Sequence, residues 1–139
     1  MDPSRRDLGL FLPGLAAAGA APGTALPSAT FRFEDLPVRQ NGPNRARAIL
    51  NGETHRGYPV EMHMTELAAG QMPHPPHHHV HEEMILIHAG TLEVTISGRT
   101  VRLGPGSSAY VASNEEHGWR NVGTTPALYF VLALGGDKE

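Results

Sequence analysis

The sequence predicts an all-β domain, and three observations support that prediction. Short apolar segments recur with the alternating period of two that is typical of strands. Turn-forming residues separate these segments, since the 139-residue chain contains 16 glycines and 12 prolines. After residue 30 no window shows the apolar period of a long amphipathic helix. Regularly spaced short strands separated by turns favour a sandwich or a barrel.

Seven strands are predicted, in the order 45–50, 58–67, 84–88, 91–97, 100–103, 108–112 and 127–134. The first ends at Asn51 and Gly52, a dipeptide that is typical of tight turns. Ser97 and Gly98 predict another turn between the fourth and fifth strands. Residues 35–45 contain two prolines and an Asn-Gly pair, so we expect a surface loop there.

The second predicted strand leaves the orientation of His63 open. Val60, Met62 and Met64 form its more apolar face, which favours a position in solvent for His63. The alternative places His63 in the interior, where it could serve as a proton shuttle.

Length and composition limit the classes of function. One domain with a real core fits 139 residues, and two do not. The formal charge of −3 provides no basic field for a nucleic acid, so we expect no nucleic-acid partner. The absence of cysteine excludes disulfides and thiolate chemistry. Any metal must therefore be held by nitrogen and oxygen atoms.

Residues 1–29 differ from the rest and predict an export signal followed by a linker, leaving a single domain over residues 30–139. Arg5 and Arg6 follow a serine and precede a short apolar run, in the manner of a twin-arginine signal. Glycines and a proline interrupt that run, which is too short for a stable membrane span. These features place the mature protein in a bacterial periplasm or outside the cell. The alternative is an ordinary disordered N-terminus.

A histidine-rich stretch is the strongest chemical signal in the chain. Five histidines lie between residues 74 and 81, and a glutamate follows at position 83. Imidazole with a carboxylate suits a first-row transition metal. Residues two apart share a face of an extended strand, so His77, His79, His81 and Glu83 are expected to point the same way.

Two motifs in this region resemble the signatures of the cupin family. The first is His77-x-His79-x3-Glu83-x6-Gly90. The second is Gly106-x5-Ala112-x-Asn114-x2-His117-x3-Asn121. Ala112 stands where the family usually has proline, and Asn114 where it usually has glycine. Asparagine can adopt the left-handed conformation that such a glycine often supplies.

The resemblance implies a cupin-type jelly-roll β-barrel of six to eight strands with a metal site in its mouth. Carried over by position, the ligands are His77, His79, Glu83 and His117. Three imidazoles and one carboxylate leave two octahedral positions open. We expect one divalent transition metal, with manganese or iron ranked first and nickel, zinc or copper also open.

The remaining polar residues of the stretch receive other roles. His81 is predicted to hold a ligand in place or to line the mouth, and His81 and Glu83 are the catalytic candidates. His74 and His78 are expected to face solvent. Six residues are expected in the core or, alternatively, in the wall of an apolar cavity: Met62, Met64, Tyr110, Trp119, Tyr129 and Phe130. Residues 137–139 are expected to be a frayed polar end.

Two functional classes remain open from the sequence. In the first, the protein is a mononuclear metalloenzyme acting on a small organic molecule, with dioxygenase chemistry first and isomerase or lyase chemistry also considered. In the second, it is a non-catalytic cupin that binds or stores a metal or a ligand. A homodimer is expected, formed by strands from residues 92–103 and by the terminal strand.

Overall fold

A computed structural model describes residues 24–137 of the chain. Most of the predicted export segment therefore lies outside the described residues. Within them, one short 3₁₀ turn, Phe33–Asp35, precedes nine strands. The strands are β1 (Val38–Asn41), β2 (Asn44–Glu53), β3 (Pro59–Leu67), β4 (Glu82–Ala89), β5 (Leu92–Ile96), β6 (Arg99–Leu103), β7 (Ser108–Val111), β8 (His117–Asn121) and β9 (Ala127–Leu134). The all-β prediction is confirmed.

The strands form two antiparallel sheets that share one hydrophobic core. The larger sheet has the order β1-β2-β3-β9-β4-β7, and the smaller one has the order β6-β5-β8. Strand alternation directs one face of each sheet inward, because successive side chains point to opposite sides. Both sheets contribute buried side chains to the core: Leu67, Ile85, Ile87, Leu92, Val94, Trp119, Ala127, Tyr129 and Val131.

Two turns show how local residues set the path of the chain. Ser97 and Gly98 both have positive φ, at 47° and 79°, and they close the hairpin between β5 and β6 as the sequence predicts. Gly90 connects β4 to β5 where a side chain would not fit. A Cβ atom at Gly90 would lie 2.7 Å from the Cα atom of Ala127 on β9.

Two local predictions about the first hairpins are wrong. Asn51 and Gly52 form no turn, because both lie inside β2 and pair with Glu61 and Val60 of β3. The β2–β3 turn occupies residues 54–57 instead, with Gly57 donating to the carbonyl of Thr54. Residues 35–45 are more than a loop, since they contain β1 and its hairpin with β2. Pairing with a neighbouring strand overrides local turn propensity in both places.

The interior face of β3 is the polar one. Glu61, His63 and Thr65 are buried, whereas Met62 is half-buried. The solvent-facing alternative for His63 is therefore wrong, and its interior alternative is the one observed. Apolar content misleads here because Met64 packs on the opposite face of the sheet, beside the buried side chain of Arg47.

Strand β9 lies in the middle of the larger sheet, between β3 and β4. Its backbone hydrogen bonds are committed on both sides, so it cannot pair with a second copy as the sequence-based dimer would require. Strand β6 of the 92–103 segment is an edge strand and exposes Val101. The homodimer itself stays a prediction. Among the described residues, no helix is long and apolar enough to cross a membrane.

Asn121, at the end of β8, is fully buried and ties the loop between β8 and β9 to the end of β3. Its amide Nδ2 donates to the carbonyls of Leu67 and Thr125, both at 2.9 Å. Its Oδ1 accepts from the backbone N–H of Gly123 at 2.9 Å. The buried side chain of the asparagine that ends the second motif therefore satisfies three backbone groups.

We predict that Asn121→Ala lowers the free energy of unfolding by roughly 2–4 kcal/mol, because a fully buried side chain loses its three hydrogen bonds. Urea unfolding followed by tryptophan fluorescence measures the change. The matched control is Asn51→Ala at an exposed strand position, which should change the value by less than about 0.5 kcal/mol. Equal losses in the two variants would show that Asn121 has no such role.

Candidate metal centre

The histidine-rich stretch reaches the site as a loop and not as a strand. Strand β4 begins only at Glu82, so the shared strand face expected for His77, His79 and His81 is wrong. Instead, His77 forms an isolated bridge with His117 of β8, with N–O distances of 3.0 and 2.8 Å. The backbone N–H of Asn114 donates to the carbonyl of His79 at 2.7 Å. Backbone hydrogen bonds to residues of the second motif thus fix the position of the first motif.

Asn114 makes that contact from the left-handed conformation, with φ of 63°. This confirms the expectation that asparagine replaces a glycine there without changing the turn. His117 follows three residues later as the first residue of β8. Both signature motifs therefore converge through the backbone before any side chain is considered.

Four side chains converge at this place, and they are the four implied by the resemblance. Their ligand atoms all lie within 4.8 Å of one another, and the group could hold a metal ion. Three members are buried and one is half-buried. The four residues are His77, His79, Glu83 and His117.

Backbone carbonyls fix the tautomers of two of these rings. Nδ1 of His79 lies 2.7 Å from the carbonyl of His81, and Nδ1 of His117 lies 2.9 Å from the carbonyl of Glu115. A carbonyl oxygen only accepts, so both Nδ1 atoms carry a proton. In the neutral rings the lone pairs are then on Nε2. Both Nε2 atoms lie 3.0 Å from the same carboxylate oxygen of Glu83, Oε2.

This donor set fits a metal ion. Two neutral imidazoles would aim lone pairs at a carboxylate oxygen that also only accepts, and such a contact needs either a proton or a cation between the atoms. A divalent ion satisfies both Nε2 atoms and the carboxylate together. Metal-bound histidines commonly donate their other ring N–H to a carbonyl, as His79 and His117 do here.

Without a metal, protons must fill that role, and the pKa values of the group shift accordingly. Burial alone would raise the pKa of Glu83, but hydrogen bonds from His117 and His79 and their positive charges hold it well below its ordinary value of 4.5. Burial would lower the pKa of His79. The hydrogen bond and charge of Glu83 and the carbonyl of His81 outweigh burial, so that pKa lies above 6.5.

His81 holds one of the rings in place. Its imidazole stacks on that of His79, with centroids 3.6 Å apart and planes at 7°. Its Nδ1 lies 2.7 Å from Oδ1 of Asp137, whose side chain is almost fully buried. This contact agrees with the holding role expected for His81, while its catalytic role stays a prediction. The expectation of a frayed end is wrong at Asp137.

A pocket opens beside the four residues, and its walls come from both sheets. Trp119 and Tyr129 form one wall, with the indole Nε1 donating to the tyrosine hydroxyl at 2.8 Å. Burial raises the pKa of Tyr129, so its hydroxyl keeps its proton. Strand β9 adds the small side chains of Val131 and Ala133. Of the six cavity candidates, only Trp119 and Tyr129 line this pocket.

The opposite side of the pocket carries His63, in the interior position that was one of its two alternatives, together with Glu61, which sequence reasoning missed. Glu61 and His63 of β3 line it, and Nδ1 of His63 lies 2.8 and 3.1 Å from the two carboxylate oxygens of Glu61. The signal was present as a glutamate and a histidine two apart on one strand face. The apolar residues Met62 and Met64 on the alternate positions of β3 favour the other face as the interior, which hides the role of Glu61.

The two remaining histidines of the stretch, His74 and His78, differ in their exposure to solvent. His78 is exposed, as expected. His74 is not turned to solvent: it lines the pocket, and its ring lies 4.0 Å from that of His77. Two prolines after His74 end the strand geometry on which its assignment depended. Tyr110 is 56% exposed and lies outside both the core and the pocket.

We predict opposite pH dependences for the metal-free and metal-loaded protein. The lowered pKa of Glu83 stabilises the metal-free fold above about pH 4.5 and is lost as pH falls through the folded value. The raised pKa of His79 stabilises it below pH 6.5 and is lost as pH rises through the folded value. The stabilisation of the metal-free protein is therefore greatest between these two pH values.

Metal requires deprotonated imidazoles, so metal-loaded protein should instead gain stability from pH 6 to pH 8. Thermal unfolding across pH, with and without chelator, measures both curves. Glu83→Gln removes the carboxylate and should flatten the metal-free curve in this range. Identical pH profiles for Glu83→Gln and the unchanged metal-free protein would contradict the assignment.

The sequence matches a family model described as "Cupin domain" over residues 63–133. No curated protein matches the chain. Among solved structures, an RmlC-like cupin from Shewanella frigidimarina is similar with a TM-score of 0.65 and 18% identity, over 80% of this chain and 95% of that one.

Two further solved structures carry names that state an activity. The polyketide cyclase RemF from Streptomyces resistomycificus has a TM-score of 0.63 and 19% identity, over 81% of this chain and 82% of that one. The DMSP lyase DddQ from Ruegeria pomeroyi has a TM-score of 0.50 and 32% identity, over 58% of this chain and 40% of that one.

The family model covers more than half of the chain and includes all four clustered residues together with His63. The two-sheet architecture agrees with the jelly roll that the two motifs implied, and the fold prediction is confirmed. This chain belongs to the cupin family and has its jelly-roll fold.

Proposed function

We propose that this protein is a metal-dependent enzyme that acts on a small organic molecule in the pocket beside His77, His79, Glu83 and His117. The observation that carries this proposal is the pair of Nε2 atoms directed at Oε2 of Glu83, with both Nδ1 atoms donating to carbonyls. Four residues would hold one divalent ion and leave two octahedral positions for water or a substrate oxygen.

A bound ion would supply Lewis-acid polarisation of a substrate oxygen. The protein supplies the rest of the environment. Trp119 and Tyr129 form an apolar wall that excludes water, and Ala133 leaves room beside Glu83. His81 acts as a positioning residue, because it contacts His79 by stacking and is itself held by Asp137.

Lyase or isomerase chemistry is the class we place first. The DMSP lyase has the highest identity to this chain among the structures described above, although it matches only 58% of this chain. This ranking departs from the sequence-based one, which put a dioxygenase first. Oxygen-dependent chemistry is the second candidate, favoured by the two open positions of the proposed site. Oxygen consumption by metal-loaded protein distinguishes the two classes.

A non-catalytic cupin that stores metal or binds a ligand is the alternative class. Metal storage needs exchangeable ligands but does not need a pocket, whereas here the four residues adjoin a pocket with walls from both sheets.

The ion is proposed to be manganese or iron first, with nickel, zinc or copper as alternatives. Export to the periplasm and the homodimer also stay predictions, which cell fractionation and sedimentation test.

We predict that His117→Ala lowers the affinity for a divalent metal at least about 10-fold, because one ligand and the link between the two sheets are lost. Metal content after dialysis and calorimetric titration with Mn²⁺ measure the change. The matched control is His78→Ala, which removes an exposed histidine from the same stretch.

The control should bind metal as the unchanged protein does, with a stoichiometry of one. Equal metal binding by both variants would contradict the four-residue site. A loss in the His78→Ala variant would point to a loose histidine tract as the binding element, and it would favour storage over catalysis.

A further inference from the structure

We infer that Glu61 and His63 form a proton-transfer pair that removes a proton from the carbon next to a carbonyl or carboxylate group of the substrate. This inference rests on the proposed function, because the substrate oxygen must be held at the metal site opposite. It names a second catalytic element, on β3, and it specifies the substrate class as a small acid or ketone with an acidic C–H bond.

The hydrogen bond between the two residues sets the basic atom. Nδ1 of His63 contacts both carboxylate oxygens of Glu61, which only accept, so Nδ1 carries the proton of the neutral ring. Nε2 therefore carries the lone pair that can take a proton. The carboxylate of Glu61 then stabilises the imidazolium that forms, in the arrangement by which a third group orients a base.

Strand register places Glu61 and His63 across β9 from Glu83 of the proposed metal centre, at a distance that a small substrate could span. Glu61 pairs with Ala133 on β9, and Ala133 pairs with Glu83 on β4. Two strand spacings separate the backbones of the two glutamates, which is about 10 Å. All three side chains line the same pocket. A molecule of a few carbon atoms would lie over Ala133, between the metal position and the pair.

The size of the residues on β9 supports this arrangement. His63 pairs with Val131 as Glu61 does with Ala133, so two small apolar side chains of the pocket wall lie beside the pair. Larger residues at these positions would fill the space between β3 and β4. The sequence of β9 thus leaves a gap where the two halves of the site meet.

A contribution to the stability of the fold is a weak explanation for the presence of Glu61 and His63. The side chain of Glu61 is 4% exposed and that of His63 is 10% exposed, so both have lost most of their water. Buried ionic pairs contribute little net stability, because desolvation offsets their attraction. A hydrogen-bonded carboxylate and imidazole at a pocket wall, facing a metal centre, is the arrangement expected of a general base.

The proposed step balances without an oxidant. The C–H bond next to the carbonyl or carboxylate breaks, the proton moves to Nε2 of His63, and the electron pair stays on the substrate as an enolate. Return of that proton to another carbon gives isomerisation. Departure of a leaving group from the neighbouring carbon with its bonding pair gives elimination. Both outcomes belong to the isomerase and lyase classes.

Hydrogen exchange in D₂O tests this step. Metal-loaded protein is incubated with pyruvate, 2-oxobutyrate or acetoacetate, and deuterium incorporation is measured by mass spectrometry against metal and buffer alone. We expect exchange of at least one of these acids by the unchanged protein. His63→Gln should lower its rate at least about 100-fold, with metal content and affinity for the same acid unchanged.

Two other variants and one control complete the test. Glu61→Gln keeps a hydrogen-bond acceptor but loses the charge, so its rate should fall between those of the unchanged protein and His63→Gln. Ala133→Leu fills the gap and should weaken binding of the acid while metal content stays the same. His78→Gln is the control and should behave as the unchanged protein. Thermal unfolding confirms that each variant is folded.

A second measurement is independent of activity. In metal-free protein, ¹⁵N NMR of the neutral His63 ring should show the proton on Nδ1. A proton on Nε2 would overturn the inference, as would metal-loaded protein that binds the acids without exchange, or equal exchange by His63→Gln. If the unchanged protein bound no metal, the proposed function would be refuted instead. Failure of the proposed function is therefore distinguishable from failure of the proton-transfer inference.

Discussion

The carboxylate of Glu83 is the point on which the rest of the site depends. It lies on β4 of the larger sheet, and its Oε2 lies 3.0 Å from Nε2 of His117 on β8 of the smaller sheet, so one oxygen connects the two sheets. The same oxygen lies 3.0 Å from Nε2 of His79, whose loop is held next to β8 by the backbone bridge between His77 and His117. A buried carboxylate in this position needs protons or a cation to balance it. The fold therefore creates a place for positive charge between its two sheets.

The functional pocket follows from that junction. Strand β9 lies between β3 and β4, and its small inward residues keep the two polar strands apart without filling the space. One side of the pocket then carries the metal centre and the other carries Glu61 and His63. Trp119 and Tyr129 close a third side, which limits access of water to both halves. With the proposed metal bound, the pocket would have an electrophilic side and a basic side, and that division would favour proton-transfer chemistry over simple storage.

Much of the fold could be predicted from the sequence because its signals are local, whereas the set of four clustered residues was implied by the resemblance to the two cupin motifs. The alternation of apolar and polar residues, together with the turn residues between segments, predicted most of the strands. Asn114 adopts the left-handed conformation that was expected of an asparagine in the place of a glycine. Long-range pairing accounts for the errors. Asn51 is held in β2 by β3, and Asp137 is ordered by His81, a residue 56 positions earlier. The inward turn of His63 also depends on which face meets the second sheet, and a single strand's composition does not contain that information.

X-ray absorption at the metal edge of protein loaded with one equivalent of Mn²⁺, Fe²⁺ or Zn²⁺ tests the central claim most directly. We expect a first shell of nitrogen and oxygen at about 2.0–2.2 Å with outer-shell scattering from three imidazoles. His117→Ala should reduce that scattering to two imidazoles, and His78→Ala should leave it unchanged. A spectrum with one imidazole or none, or one that His117→Ala does not alter, would contradict a metal centre built on Glu83 and its three histidines.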